Sequence, residues 1–221
     1  MTPLESKTNN LREGYVKGYD KILLEKDRWG FLPLQVQDLL KTDNKDCEYQ
    51  PNLIKKNHKC ILRRGVENSE NKSFVACFAD IYSHYHSKRL RNKVLSINDM
   101  IEKITTTMTI DQFITYFNGN LIQIFNNKKY NEVDIEKYKN ELQDDNIKRH
   151  KLFDKLNDTE NVDLFIKKII NAFENFKLFL KSDNLIDHTY LWDILCFKNK
   201  DLIPIELNLV IVEILKDDVT N

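Results

Sequence analysis

Several groups of residues in this 221-residue chain have the side-chain types that chemistry requires. Cys47, His58 and Cys60, with His84 and His86 further on, supply zinc-ligand types. Their spacing argues against a metal. Structural zinc sites draw on close Cys-x2-Cys-like pairs, and a His84-x-His86 pair on a helix directs its rings about 200° apart. A small hydrophobic Cys60 beside solvated histidines is the expected state, with no metal and no cofactor.

Ser73 and Cys77 raise a second chemistry. The run from Asn71 to Asp80, Asn-Lys-Ser-Phe-Val-Ala-Cys-Phe-Ala-Asp, resembles loosely the helix start of ovarian-tumour-type, papain-like deubiquitinases. Such enzymes place a cysteine at a helix N-terminus, where free amides lower its pKa and stabilise an oxyanion. Here that position is Ser73, and Cys77 falls a turn inside the helix. The partner histidine would be His188 or His150, neither in a recognisable context. A degenerate hydrolase fold without activity is therefore the remote alternative, and the chain is expected not to be an enzyme. The carboxylates Asp187, Asp193, Glu206, Glu213, Asp217 and Asp218 lack the lysine-paired spacing of a nuclease and read as a solvated acidic face, with Glu213 at a strand edge.

The basic residues form two clusters. Lys55, Lys56, Lys59, Arg63 and Arg64 precede one predicted helix, and Lys88, Arg89, Arg91 and Lys93 follow it. Clusters bracketing one helix can converge on one surface and neutralise phosphates, so these nine are the DNA-backbone candidates. Trp29, Tyr190 and Trp192 are the candidates for a partner-protein interface, whereas Tyr82 and Tyr85 read as core or boundary residues.

Composition sets the limits around these sites. Lys+Arg and Asp+Glu both number 34, which excludes the global positive field of a nucleic-acid coat protein. The balance is local: residues 51–100 hold ten basic against four acidic residues, and residues 183–221 hold three against eight. A basic end suits phosphate and an acidic end suits protein. Four widely separated cysteines without a leader sequence predict free buried thiols in a reducing compartment. No apolar run approaches the roughly 18 residues of a membrane span.

The elements that must position these residues are mostly helical. Residues 1–14 are polar and read as disordered. Trp29-Gly-Phe-Leu-Pro33 reads as an aromatic turn, with Pro33 opening a short helix through Leu40, and Pro51 argues for a loop over 41–59. Phe74, Phe78, Ile81 and Tyr85 mark one face of a helix of about four turns. Ser96 with Asp99 and Thr109 with Gln112 predict capping boxes for two more helices. The second would carry Phe113, Phe117 and Leu121 on one side, and Asn118-Gly119-Asn120 is its break point. Residues 126–158 read as a charged connector or surface helix. Val162, Phe165, Ile166, Ile169, Phe173, Phe176 and Leu180 trace an amphipathic helix, whose intramolecular use is favoured over docking of a partner helix. A shorter helix spans Tyr190–Phe197 behind an Asp187 or Thr189 cap, and Leu207–Ile214, rich in β-branched residues, predicts a buried strand.

Taken as an ordered set, several segments resemble one family. They are Trp29-Gly-Phe-Leu-Pro-Leu; Leu62-Arg-Arg-Gly-Val-Glu-Asn-Ser-Glu-Asn-Lys-Ser-Phe; Met108-Thr-Ile-Asp-Gln-Phe-Ile with Asn118-Gly-Asn-Leu; Ala172-Phe-Glu-Asn-Phe; Asp187-His-Thr-Tyr-Leu-Trp-Asp-Ile-Leu-Cys; and Leu207-Asn-Leu-Val-Ile-Val-Glu-Ile. The set is similar to an internal region of the homologue, in nucleocytoplasmic large DNA viruses, of the poxvirus early transcription factor large subunit. The similarity runs from about Trp29 to the end of the chain, and members of that family are longer. It implies a segment of a viral early transcription factor that contributes DNA-backbone contacts, protein contacts or both. The partners implied are double-stranded promoter DNA, a helicase-like ATPase small subunit and the viral RNA polymerase, in the virion and the viral factories of host cytoplasm, with no membrane. No catalytic residue carries over.

The expectation is thus an α+β fold, mostly α-helical, with a small sheet that includes a buried C-terminal strand. Its expected parts are a disordered 1–14, a helical module with a basic face over 15–125, the 126–158 connector, and a helix–helix–strand segment over 159–221 packed on that module. The alternative function, from a different class, is a protein-interaction scaffold that never touches DNA.

Overall fold

Three helix starts in this chain are fixed by side chains that bond backbone amides of the first turn. In the computed structural model, which describes residues 14–90, 93–126 and 159–211 and leaves aside the side chains of 88, 89 and 159–164, both predicted capping boxes form. The Ser96 hydroxyl accepts the Asp99 N–H at 3.1 Å while the Asp99 carboxylate accepts the Ser96 N–H at 3.3 Å. Thr109 and Gln112 do the same at 3.3 and 3.1 Å. Each box satisfies two otherwise orphaned amides, and its loss costs about 1 kcal/mol.

The architecture is α+β and mostly helical, in two compact units: the second spans Ser69–Leu209, and the first comprises the chain up to Asn68 together with that from Val210 onward. The expected boundary, the charged 126–158 segment, lies outside the described residues from 127 onward.

The first unit is the small β-containing one. Trp29–Phe31 is not a turn but a strand, β1. Pro33 stands just ahead of helix α1 (Leu34–Leu40), at its N-cap. A 3-10 turn at Asn44–Cys47 leads into β2 (Glu48–Gln50), which pairs antiparallel with β3 (Leu53–Ile54) around a Pro51-Asn52 turn. The segment expected to be a loop is therefore a hairpin, with Pro51 supplying its bend and Asn52 its positive φ of 62°. β4 (Leu62–Arg64) pairs antiparallel with β1 in the register Trp29–Arg64, Gly30–Arg63 and Phe31–Leu62. Val16, Phe31, Cys47 and Ile54 are the fully buried centre, with Trp29, Cys60 and Leu62 packed against it.

So small a core is closed covalently: Cys47 and Cys60 form a disulfide, with Cα atoms 6.2 Å apart. This corrects the expectation of free thiols for that pair. The β2–β3 hairpin folds the chain back and brings together two cysteines 13 residues apart, a proximity that spacing alone does not reveal. Cys196 is a free buried thiol, whereas the free Cys77 is exposed.

The second unit is helical. α2 (Ser73–Tyr85) and α3 (Ser87–Leu90) are followed by α4 (Ile97–Thr107), α5 (Ile110–Thr115), α6 (Asn120–Phe125), α7 (Thr159–Lys181) and α8 (His188–Cys196). α2 turns Val75, Phe78, Ala79 and Tyr82 inward, and Tyr85 is exposed, so its buried stripe is rotated from the expected Phe74–Tyr85 face. The core is aromatic. Phe113 stands 5.4 Å from Phe173 and 5.6 Å from Phe176, and Phe125 stands 5.0 Å from Phe176 and 5.2 Å from Phe179. Ile169, Phe173, Phe176 and Leu180 of α7 are all buried, as their spacing predicts. Truncating one such phenylalanine to alanine costs about 3–5 kcal/mol.

The predicted C-terminal strand does not form over the described part of its range. Residues 207–211 have no strand pairing; Val210 is 77% exposed and Ile211 43%. Residues 212–214 of that prediction lie outside the described residues. β-branched content alone does not make a strand where the chain finds no neighbour to pair with.

Candidate functional site

Between α5 and α6 the helical path reverses hand. Phe117 (φ 52°, ψ 40°), Asn118 (52°, 33°) and Gly119 (80°, 0°) are three consecutive left-handed residues. Glycine accepts this region freely and asparagine tolerates it, but a phenylalanine there is uncommon and costs on the order of 1–3 kcal/mol. Asn118-Gly119 is thus the helix break the sequence signals. The consequence for Phe117 is opposite to its spacing: Phe113 and Leu121 are buried, while Phe117 is turned outward and 40% exposed.

α8 holds this turn in place. Asp187 caps α8 by accepting the Thr189 N–H at 2.9 Å. One turn on, the half-buried Asp193 accepts the backbone N–H of Phe117 at 2.5 Å. The same carboxylate presses on its surroundings. Burial first and the Asp193 charge second push the Tyr116 hydroxyl up to about 12, and the same two causes raise the Cys196 thiol above its ordinary value. No cation forms an ion pair with Asp193 among the described residues.

The turn and α8 enclose a cleft of about 340 Å³, lined by Tyr116, Phe117, Asn118, His188, Thr189, Tyr190, Trp192 and Asp193. Trp192 is 40% exposed. Among the described residues neither it nor Phe117 stacks on another ring. Tyr190 is different, since its ring packs 5.9 Å from Phe125 and 5.0 Å from Phe179 and serves the core as well as the cleft. The cleft thus brings two open aromatic faces beside a carboxylate that has no cation partner among the described residues.

The predicted interface residues are therefore divided. Trp192 and Tyr190 come together in the cleft of the second unit. Trp29 belongs to the first unit, where it lies beneath the Arg64 guanidinium at 5.4 Å.

The basic candidates divide as well. Arg63 is occupied by its own chain: its guanidinium donates to the carbonyls of Phe31 (2.7 Å), Ile22 (2.5 Å), Gly18 (3.3 Å) and Lys21. Arg64 pairs with Asp27 at 2.7 Å. Both make contacts within the first unit, Arg63 half-buried among carbonyls and Arg64 exposed at the surface. Lys55, Lys56, Lys59 and Lys93 are exposed, although Lys55 also donates to the Asp46 carbonyl at 2.7 Å. The side chains of Lys88 and Arg89, and all of Arg91, lie outside the described residues.

Among the described residues the other chemistries find no assembled site. The disulfide removes Cys47 and Cys60 as metal ligands, and among the described residues no three His, Cys, Asp or Glu side chains are grouped to hold an ion. His86 hydrogen-bonds the Leu202 carbonyl at 2.9 Å and packs 4.3 Å from Tyr82. Ser73 bonds back to Ser69, accepting its N–H at 2.8 Å and donating to its carbonyl, so its hydroxyl braces the start of α2. Desolvation first and Asp80 second raise the Cys77 thiol, the reverse of an activated nucleophile. His188 meets the Phe74 ring at 6.2 Å, and His150 lies outside the described residues.

Sequence reasoning named Trp192 and Tyr190 but missed the role of Phe117 and Asp193. The signal that could have found them is the Asn118-Gly119 pair directly after an aromatic residue. Among the described residues no helix is long and apolar enough to cross a membrane. No protein-family model, no curated protein and no solved structure matches the chain.

Proposed function

We propose that the chain is a protein-contact module of a viral transcription-initiation factor, with the aromatic–acidic cleft as its docking surface. One observation carries the reading: Phe117, turned outward by a strained turn, and Trp192 of α8 are both exposed and line one cleft together with Asp193. Exposed aromatic residues in a preformed pocket are the usual anchors of protein interfaces. Backbone strain kept at such a place argues for use. The resemblance described above supplies the assembly, namely the ATPase small subunit and the viral RNA polymerase, in the virion and host cytoplasm. The role is non-catalytic.

The test is co-purification of the chain with recombinant early transcription factor small subunit and RNA polymerase of a large DNA virus. A complex that the wild type forms and Trp192→Ala loses, with the helical circular dichroism unchanged, is the expected result. A complex indifferent to Trp192→Ala, or none at all, overturns the reading.

A second reading keeps one observation of its own. Lys55, Lys56 and Lys59 are exposed on a single short segment, which suits DNA phosphate. Replacing all three by alanine should flatten the salt dependence of duplex binding by about one unit per lost contact. Equal slopes would remove DNA from the account.

A further inference from the structure

The chemistry of the cleft is specific enough to name what enters it. Its two open rings, Phe117 and Trp192, present negative π-faces. Its carboxylate, Asp193, has one oxygen engaged by the Phe117 N–H and meets no cation among the described residues. The lining contains neither lysine nor arginine. A neutral apolar guest would leave the carboxylate desolvated beside it, and an anion would be repelled. A cation completes the site, because π-faces and carboxylate attract it together.

Among protein cations, guanidinium fits better than ammonium. It is planar, weakly hydrated, stacks flat on aromatic faces and directs paired N–H donors at a carboxylate. Lysine is a compact, strongly hydrated charge that gives up more water to lie on a ring. We propose that the cleft formed by the Phe117–Gly119 turn and α8 binds an arginine side chain of a partner protein, stacked on Trp192 and paired with Asp193. This deepens the docking role proposed above and rests on it for the partner, though not for the site.

The strained turn then has a purpose. A right-handed continuation of α5 would place Phe117 in line with Phe113 on the buried face; the left-handed turn aims it at the cleft and presents its N–H to Asp193. The carboxylate is thereby oriented before any guest arrives, which lowers the ordering cost of binding.

The experiment is an NMR titration of the full chain at physiological salt with acetyl-arginine amide, and separately with acetyl-citrulline amide. Citrulline is nearly isosteric and uncharged. The chain has two tryptophans, so its two indole N–H signals are assigned with Trp192→Phe. The expected result is a saturable shift of the Trp192 signal with arginine at millimolar concentrations, little shift with citrulline, and no shift of Trp29. Asp193→Asn, which retains an acceptor for the Phe117 N–H, should weaken arginine binding by about tenfold. Should Asp193→Asn unfold the unit, Phe117→Asn substitutes for it, because asparagine tolerates the left-handed turn and removes only the ring. Equal shifts with arginine and citrulline, no Trp192 shift, or variants that bind as well as wild type would each overturn the proposal. Arginine binding by a chain that forms no complex with the polymerase or ATPase subunit would retain the site and remove the docking role. A Trp192-dependent complex without an arginine response would do the reverse.

Discussion

Asp193 on α8 accepts the backbone N–H of Phe117 across 76 residues of sequence, and this one bond ties the left-handed turn to the helix that faces it. The bond is charge-assisted and uses one carboxylate oxygen, Oδ2. Asp193→Ala should therefore cost about 1–2 kcal/mol of stability, whereas Asp193→Asn should cost clearly less because its amide oxygen still accepts. Urea unfolding followed by Trp192 fluorescence separates the two. Equal losses would mean that the charge, not the hydrogen bond, holds the turn.

Arg63 makes a parallel prediction in the first unit. Four carbonyls from residues 18, 21, 22 and 31 converge on one guanidinium, fixing the loop that leads into β1. A lysine at this position keeps the charge but has a single nitrogen and no planar fork. Arg63→Lys should destabilise the first unit by on the order of 3 kcal/mol, nearly as much as Arg63→Ala. Trp29 is the only tryptophan of this unit and reports the change. A lysine variant as stable as wild type would show that one donor suffices.

Gly65 sets a steric limit on the same loop. It exchanges backbone hydrogen bonds with the 25–28 segment, its N–H to Arg28 at 2.7 Å and its carbonyl from Asp27 at 2.9 Å. A Cβ at this position would stand 2.0 Å from the Glu25 carbonyl oxygen. Since the obstacle is backbone, Gly65→Ala must open the loop and should lose several kcal/mol, at the upper end of overpacking penalties of roughly 1–3 kcal/mol. The Trp29 unfolding transition tests this, and a shift of Trp192 alone would contradict it.

Local rules proved legible and long-range ones did not. The two capping boxes, the Asp187 cap, the buried residues of α7 and the break at Asn118-Gly119 all follow from residues within one or two helical turns. The structural contacts of Arg63 and Arg64 were not legible, because a basic pair looks the same whatever it faces: Arg63 meets carbonyls 32 to 45 residues away, and Arg64 meets the Asp27 carboxylate. Cys47 and Cys60 misled because their approach depends on the β2–β3 hairpin, which lies in a segment that polarity and Pro51 mark as loop. Phe117 misled because its spacing from Phe113 and Leu121 is helical, whereas its backbone is not. The Leu207–Ile214 prediction failed over its described part because a strand needs a neighbour, and the sequence of one segment cannot show whether a neighbour exists.

The Cys47–Cys60 disulfide closes a loop of 13 residues around a core of four buried side chains. Loop-closure entropy for such a length gives about 3 kcal/mol, a large share of what so small a unit can hold. Dithiothreitol should therefore lower the Trp29 unfolding midpoint sharply and leave that of Trp192 in place. Cys47→Ser should reproduce the reduced behaviour without reductant. Coincident shifts of both tryptophans would show that the two units unfold as one.

Tyr116 makes the stability of the second unit depend on alkaline pH. Burial, then the Asp193 charge, hold its hydroxyl up to about 12, above the ordinary tyrosine value of about 10. Below pH 10 the phenol is protonated in both folded and unfolded chains and contributes no pH dependence. Between 10 and 12 the unfolded chain releases this proton first, so stability falls as pH rises, by on the order of 2 kcal/mol across the window. Tyr116→Phe keeps the buried ring and removes the proton, and should flatten that part of the profile. Urea midpoints read from Trp192 at pH 9, 10 and 11 in both proteins give the difference directly, with the other eight tyrosines common to both. Identical slopes would mean that the Tyr116 hydroxyl is open to water and that the floor of the cleft is wet.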